Sequence, residues 1–298
     1  MKQINFIKYA LICTLFVFAI ACDKDDSIKE SIPVKVQTEF ESKFPNARIS
    51  DYSKYQEPLT SEGIWEIEFT INGGYDAKAW YKPDGTWKMT QTKLKSVSEL
   101  TSEAEETFTS SIYGKEKVNE IYKTERDKIQ GSLYTLAFES SSKASEDKVS
   151  YVFINDDGLF LNKYEWSEYD ARAIVNLPER QFNFMNDKYE DAEIRGYINN
   201  SGLNEYFILH DETVKFVFFG MSTSKSSWKE TRYELDIETV LPDNVIKYMD
   251  IVAPGFVYTN IFYIETELVN KYYLVDKNDP KEVGHYVNED IGLSPTEN

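Results

Sequence analysis

The chain has 298 residues, of which 41% are hydrophobic and 15% aromatic, so it can form about two domains with a substantial core. Its 33 Lys and Arg stand against 51 Asp and Glu, which gives a formal net charge of −18. This charge argues against nucleic-acid binding, which needs clustered basic residues, and against adhesion to anionic lipid.

The first residues have the pattern of an export signal. Lys2 and Lys8 precede an uncharged apolar run over residues 9–21, which is short for a bilayer-spanning helix and typical of a secretory signal. The run ends in Ala19-Ile20-Ala21-Cys22, which resembles the lipobox of bacterial lipoproteins, although Ala19 stands where Leu is usual. We therefore predict a signal peptide over residues 1–21 and lipidation at Cys22. An ordinary signal peptide and an uncleaved anchor are the alternatives.

An acidic run, Asp23-Lys24-Asp25-Asp26, follows the Cys directly. It resembles the export tag that carries some lipoproteins to the outer face of the outer membrane, and the alternative is a solvated tether. We predict a tether over residues 22–30, with membrane contact only through lipid on Cys22. The predicted location is the outer membrane, on its cell-surface or periplasmic side. The mature chain then has no free thiol and no disulfide, because Cys13 is removed and Cys22 carries the lipid.

The rest of the chain contains four similar segments. Each opens with an apolar residue followed by Pro, or once by Thr: Ile32-Pro33, Leu100-Thr101, Leu177-Pro178 and Leu241-Pro242. A second motif follows twelve or thirteen residues after that Pro or Thr: Phe44-Pro45-Asn46-Ala47, Tyr113-Gly114, Tyr189-Glu190-Asp191-Ala192 and Pro254-Gly255. Because Pro is tolerated in a first helical turn and Pro, Gly or Asn ends a helix, each segment predicts a short helix.

Strand patterns follow each predicted helix. Residues 65–69 alternate apolar and polar side chains, as a half-buried strand does. Further strands are predicted over residues 77–81, 86–91, 134–138, 149–154, 159–164, 206–208, 214–219, 262–264 and 271–275. The spacing of the segments groups them into two halves of two units each, over residues 31–166 and 174–290, with a tail over residues 291–298.

The motifs of the first unit carry a family resemblance: Ile32-Pro33, Phe44-Pro45-Asn46-Ala47, residues 65–69, Ala79-Trp80-Tyr81 and Asp84-Gly85-Thr86-Trp87. Together they resemble the PepSY-like domain, a family also described as beta-lactamase-inhibitor-protein-like and common in exported lipoproteins. The resemblance covers most of residues 31–290. It implies an α+β fold in which each unit packs a helix on a small antiparallel sheet. Paired units are implied to merge their sheets, with helices on one face and the other face open. No catalytic residue comes with the resemblance.

The residues themselves offer little catalytic chemistry. His210 and His285 have no metal-type spacing partner, so we expect a turn His and a strand His. Glu66 and Glu68 could in principle act as a glycosidase pair, but they lie on the polar side of a strand. Asn155-Asp156-Asp157-Gly158 is acidic enough for calcium, and a hairpin turn is the favoured interpretation. We predict no metal, no cofactor and no enzyme activity.

Aromatic residues are the remaining indication of function. The predicted register turns Trp80, Phe207 and Phe219 away from the helices, onto the open sheet face. Large apolar groups on an exposed face often mark interaction sites, and Trp and Tyr are common interface anchors. The alternative is that the other half of the chain covers this face, and an error of one residue in register would exchange the two faces.

These patterns favour a lipid-anchored envelope or surface binding module for a protein or peptide partner. The resemblance allows an inhibitor-like activity. Two alternatives remain open at this point. One is a structural or accessory envelope subunit in a fixed complex, and the other is a hydrolase with acidic catalytic residues.

Overall fold

A computed structural model describes residues 31–56, 63–71, 73–139, 149–166, 170–200, 203–220, 227–276 and 284–290. The predicted signal peptide, Cys22, the tether and the tail over residues 291–298 lie outside the described residues. The described residues from Ile32 onward belong to one compact unit. None of the helices described is long and apolar enough to cross a membrane.

Four α-helices lie in the described part of the chain: α1 (Val34–Lys43), α2 (Ser102–Ser110), α3 (Glu179–Lys188) and α4 (Asp243–Val252). Three of them begin directly after a Pro of the repeated motif. The carbonyl oxygen of Pro33 accepts a hydrogen bond from the Gln37 amide at 3.0 Å, and Pro178 and Pro242 accept equivalent bonds at 3.0 and 3.1 Å. Before α2, the side-chain oxygen of Thr101 accepts an amide bond at 3.4 Å. Pro suits this position because its missing N–H would have no helical partner there.

The motifs at the far ends of the helices place a residue in the left-handed region of backbone space. The φ angles are 70° at Asn46, 62° at Asp191 and 78° at Gly255. Asn, Asp and Gly adopt this conformation at lower cost than other residues, which is why they end helices. The sequence motifs therefore mark real helix ends after α1, α3 and α4.

The first sheet is an antiparallel meander of eight strands in sequence order. Helix α2 lies in the connection between its fourth and fifth strands. The strands are β1 (Arg48–Gln56), β2 (Gly63–Ile71), β3 (Tyr75–Tyr81), β4 (Trp87–Leu94), β5 (Val118–Arg126), β6 (Ser132–Glu139), β7 (Val149–Asn155) and β8 (Phe160–Trp166).

The second sheet has seven antiparallel strands in the order β15-β14-β13-β12-β11-β10-β9. Helix α3 precedes it, and α4 lies between its fourth and fifth strands. The strands are β9 (Glu193–Asn200), β10 (Leu203–His210), β11 (Thr213–Gly220), β12 (Ser227–Leu235), β13 (Asn260–Thr266), β14 (Lys271–Val275) and β15 (Gly284–Asn288). Four helices with two antiparallel sheets confirm the predicted α+β class.

Five strands were not predicted: β1, β5, β9, β12 and β15. β1 is mostly exposed along its whole length, and its sequence, RISDYSKYQ, is largely polar. β5, VNEIYKTER, is similarly rich in polar residues. β1 buries neither face, and two of the three buried residues of β5 are the polar Thr124 and Arg126, so the apolar alternation seen in other strands is absent from these two.

The helices cover one face of each sheet. α1 packs Val36 and Phe40 against a cluster that includes Trp65 and Ile67 of β2. α4 packs Val245 against the second sheet, in a cluster with residues of β13, β14 and β15. We call the opposite side of each sheet its helix-free face.

The two helix-free faces meet along part of their length. Leu133, Ala137 and Phe153 of the first sheet form one buried cluster with Ile198 and Phe207 of the second. This is sheet-on-sheet packing, in which inward side chains of two sheets form a shared core. The helix-free faces are therefore covered where β6 and β7 meet β9 and β10.

Candidate binding face

Trp80 lies on the helix-free face of β3, as predicted, but it is only 1% exposed. It belongs to a buried cluster that also contains Val175, Met185 and Tyr197. Its indole Nε1 donates a hydrogen bond to the Glu66 carboxylate at 2.9 Å. The prediction that Trp80 is exposed is wrong, because the second half of the chain covers this part of the face.

Phe207 is 0% exposed. It also lies on the helix-free face, as the register predicted, and its ring packs edge-on against Phe216 at 5.2 Å. It is buried because Leu133, Ala137 and Phe153 of the first sheet cover it. The predicted direction of Phe207 is right, and its predicted exposure is wrong.

Phe219 points to the opposite side from the prediction. It pairs with Asn204, two positions along the strands from the Tyr206 and Val217 pair, so Phe219 and Val217 share the face of Tyr206. There it packs edge-on against Phe184 of α3, with ring centroids 5.4 Å apart. Val214–Phe219 is apolar at nearly every position, so its faces could not be distinguished by alternation, and a shift of one residue exchanged them.

A buried polar contact links the two helix-free faces. The Tyr164 hydroxyl and the Asn162 amide of β8 donate hydrogen bonds to the Glu205 carboxylate of β10, the latter at 3.3 Å. The Trp166 indole donates to the Asn200 side chain at 3.1 Å. Glu205 is 2% exposed, and burial raises the pKa of its carboxyl group. These bonds fix the orientation of β8 against the second sheet.

A groove of about 390 Å³ lies on the helix-free face of the first sheet. It is lined by Glu66, Lys78, Trp80, Gln91, Glu120, Tyr122, Tyr151, Asp170, Ala171 and Arg172. This volume is within the range of small-ligand sites.

The charges of this groove are paired with one another. The Lys78 ammonium group contacts Glu66 at 3.1 Å and Glu68 at 2.6 Å. Burial opposes the charge on Lys78, but its bonds to Glu68 and Glu66 outweigh that effect and raise its pKa. The Glu120 carboxylate accepts bonds from Lys93 at 2.7 Å and from the Tyr122 hydroxyl at 2.8 Å. Glu66 and Glu68 thus share one cation, which argues against the separate acid and base roles of a glycosidase pair.

A row of aromatic side chains lies on the helix-free face of the second sheet. Phe262 of β13, Tyr273 of β14 and Tyr286 of β15 are direct cross-strand neighbours. The ring centroids are 6.3 Å apart between Phe262 and Tyr273 and 4.4 Å between Tyr273 and Tyr286, which are stacked. Tyr286 is 57% exposed, and the other two are half-buried. We call these three residues the aromatic row.

Sequence reasoning missed the aromatic row for a reason similar to that at Phe219. The sequence Ile261-Phe262-Tyr263-Ile264 is apolar at every position, so alternation could not distinguish its two faces. In the structure Ile261 faces α4 and is 0% exposed. The alternation in Gly284–Asn288, where only Val287 is buried, was the available indication of the correct register.

The candidate catalytic and metal-binding residues do not converge. Asn155-Asp156-Asp157-Gly158 forms the turn between β7 and β8, where the Asn155 side chain accepts a bond from the Leu159 amide at 2.8 Å. His210 lies beside Asp211 at 3.3 Å and His285 packs on Phe256. Among the described residues, no group of three His, Cys, Asp or Glu side chains is placed to hold a metal ion.

Comparison with known proteins gives structural neighbours only. No family model matches the chain, and no curated protein sequence matches it. A DUF2874 family protein from Bacteroides ovatus is similar at 22% identity with a TM-score of 0.39, over 48% of this chain and 93% of its own. A BLIP-like protein from Bacteroides fragilis is similar at 17% identity with a TM-score of 0.40, over 52% and 99%. A DUF2874 family protein from Bacteroides uniformis is similar at 16% identity with a TM-score of 0.40, over 49% and 99%. About half of this chain therefore matches nearly all of each solved chain.

Proposed function

We propose that the protein is a non-catalytic binding module, anchored to the outer membrane by lipid on Cys22, that holds a protein or peptide partner. The aromatic row is the observation that carries this proposal. It lies on the helix-free face that the sequence favoured for binding, in the part that the first sheet leaves uncovered.

Interface chemistry supports the proposal. Aromatic side chains, Tyr and Trp above all, dominate the binding energy of many protein interfaces because they bury large areas at a low cost in conformational entropy. The Tyr286 side chain is accessible at 57%, whereas Glu230 and Arg232 of the neighbouring strand β12 are paired with each other. An aromatic row with one exposed ring is a stronger anchor than paired surface charges.

The test is capture by immobilised protein, comprising residues 23–298, from envelope and culture-medium extracts, followed by mass spectrometry. We expect the wild type to retain one partner and Tyr286→Ser to lose it. Leu268→Ser is the matched control, since Leu268 is 92% exposed in the turn between β13 and β14, outside the row. Loss in both variants, or in neither, argues against the aromatic row as the binding site.

A structural or accessory subunit is the second candidate, and the outer surface of α4 favours it. Ile246, Ile251 and Val252 are 43%, 69% and 45% exposed. Apolar residues grouped on one helix are typical of permanent interfaces. A partner that copurifies in fixed proportion and resists dilution supports this second candidate, whereas reversible binding supports the first.

A further inference from the structure

The aromatic row ends at an edge of the second sheet. β15 is the terminal strand in the order β15-β14-β13, and among the described strands none pairs with its outer side. Backbone N–H and C=O groups on the outer side of an edge strand are available to an added strand. Tyr286 lies on this strand, so the exposed end of the aromatic row lies at the unpaired edge of the sheet.

The register defines what an added strand would meet. Phe262, Tyr273 and Tyr286 lie directly opposite one another on successive strands. A strand placed beside β15 would therefore bring one of its side chains opposite Tyr286, at the next position of the row. Aromatic and β-branched or aliphatic residues are the favourable cross-strand neighbours of an aromatic ring.

The acidic charge around the aromatic row favours a positively charged partner. Residues 227–290 contain thirteen Asp and Glu but only six Lys and Arg, within a chain of net charge −18. On the face itself, Glu230 and Glu234 are balanced by Arg232 and Lys271. The attraction for a basic segment thus comes from the field of the whole domain, which steers association and weakens with added salt.

We propose that β15 binds an extended, positively charged peptide segment of the partner by strand addition, and that an apolar side chain of this segment continues the row Phe262, Tyr273 and Tyr286. This rests on the proposed function and deepens it, because it defines the conformation, charge and anchoring residue of the partner. Backbone hydrogen bonds supply the register, and the row supplies a preference for an aromatic or long aliphatic side chain.

The experiment uses the full-length protein in nonionic detergent and three dye-labelled, end-blocked peptides, with binding followed by fluorescence anisotropy. The first peptide alternates Lys and Tyr, the second has Glu for every Lys, and the third is the first with alternate backbone amides methylated. We expect only the first to bind, more weakly as salt is added. Tyr286→Ser should weaken its binding at least about tenfold, which corresponds to 1.4 kcal/mol, while Leu268→Ser should leave it unchanged.

Hydrogen exchange provides an independent readout on the same complex. Strand addition should slow the exchange of β15 amides, and a contact made through side chains alone should not. Equal binding of the acidic peptide overturns the charge preference, and equal binding of the methylated peptide overturns strand addition. If no peptide binds but the capture experiment yields a partner that Tyr286→Ser loses, strand addition is wrong and the proposed function stands. If no peptide binds and no partner is captured, both are wrong.

Discussion

At the scale of single residues, Glu205 makes the contact between the two sheets sensitive to pH. Burial raises the pKa of this carboxyl group above its ordinary value of 4.5, and the hydrogen bonds from Tyr164 and Asn162 offset only part of that effect. The folded protein therefore holds this proton to a higher pH than the unfolded chain. The associated stability is fully present below pH 4.5 and is lost as the pH rises through the folded-state pKa.

Replacing Glu205 with Gln removes this ionisation. We expect the free energy of unfolding of Glu205→Gln, relative to that of the wild type, to increase as the pH is raised from below 4.5 toward neutrality. Urea unfolding of both proteins at a series of pH values measures this difference. A difference that is constant with pH would contradict a raised pKa at this position, whatever the change in hydrogen bonding costs.

Trp80 and Glu66 form a second buried pair. We expect Trp80→Phe to lower the free energy of unfolding by about 1–3 kcal/mol, because the Glu66 carboxylate loses a donor while it stays buried. Trp87→Phe is the matched control, since its indole donates at 2.9 Å to the neutral hydroxyl of Thr90. Its loss should be smaller, about 1 kcal/mol. Denaturant unfolding of both variants measures the two losses in free energy of unfolding. Equal losses would mean that the charge of the Glu66 acceptor adds nothing to the hydrogen bond.

At the scale of elements, two turns of the first sheet fit against helices through glycine. Gly85 and Gly158 have φ angles of +93° and +78°. A Cβ atom at Gly85 would lie 3.2 Å from the Lys35 carbonyl oxygen of α1, and one at Gly158 would lie 2.6 Å from the Glu103 carbonyl oxygen of α2. The Asp-Gly turns noticed in the sequence therefore have a packing role as well as a conformational one.

The glycines of this sheet give a graded test. Gly74 has a φ of +72°, and a Cβ atom added there would meet no other atom within 4 Å, so Gly74→Ala adds backbone strain alone. We expect the loss in free energy of unfolding to increase from Gly74→Ala through Gly85→Ala to Gly158→Ala. The first should cost about 1 kcal/mol and the last more than that. Thermal unfolding of the three variants measures the series, and a similar cost at all three would mean that the turns do not contact the helices.

The helices and the strands with clear alternation could be predicted from the sequence. Pro33, Pro178 and Pro242 mark helix starts, because an N–H at that position would have no helical partner. This effect depends on the local sequence alone. The faces of β11 and β13 could not be predicted, because each is apolar on both sides. The burial of Trp80 and Phe207 could not be predicted, since the residues that cover them lie far along the chain or on the other sheet.

At the scale of the whole molecule, the contact between the two helix-free faces decides which aromatic residues can reach a partner. Phe207 is part of this contact and Tyr286 lies outside it. We expect Phe207→Ala to lower the free energy of unfolding by about 3–5 kcal/mol, as for other buried Phe residues. Tyr286→Ala should change it by about 0.5 kcal/mol or less. Denaturant unfolding measures both.

Hydrogen exchange shows which strands Phe207→Ala destabilises, and so provides a control for the unfolding measurements. In Phe207→Ala, hydrogen exchange should accelerate in β6 and β7 of the first sheet as well as in β10, because Leu133, Ala137 and Phe153 lose their packing partner. Acceleration confined to the second sheet would show that the two helix-free faces do not support one another.

Hydroxyl-radical footprinting of the protein, free and saturated with a captured partner, shows whether the partner binds on the aromatic row. We expect Tyr286 to react in the free protein and to be protected in the complex, while Trp80, Phe207 and Phe219 should be unreactive in both. Reactive Trp80 or Phe207 in the free protein would contradict their burial, and a complex in which Tyr286 stays reactive would contradict binding of the partner on the aromatic row.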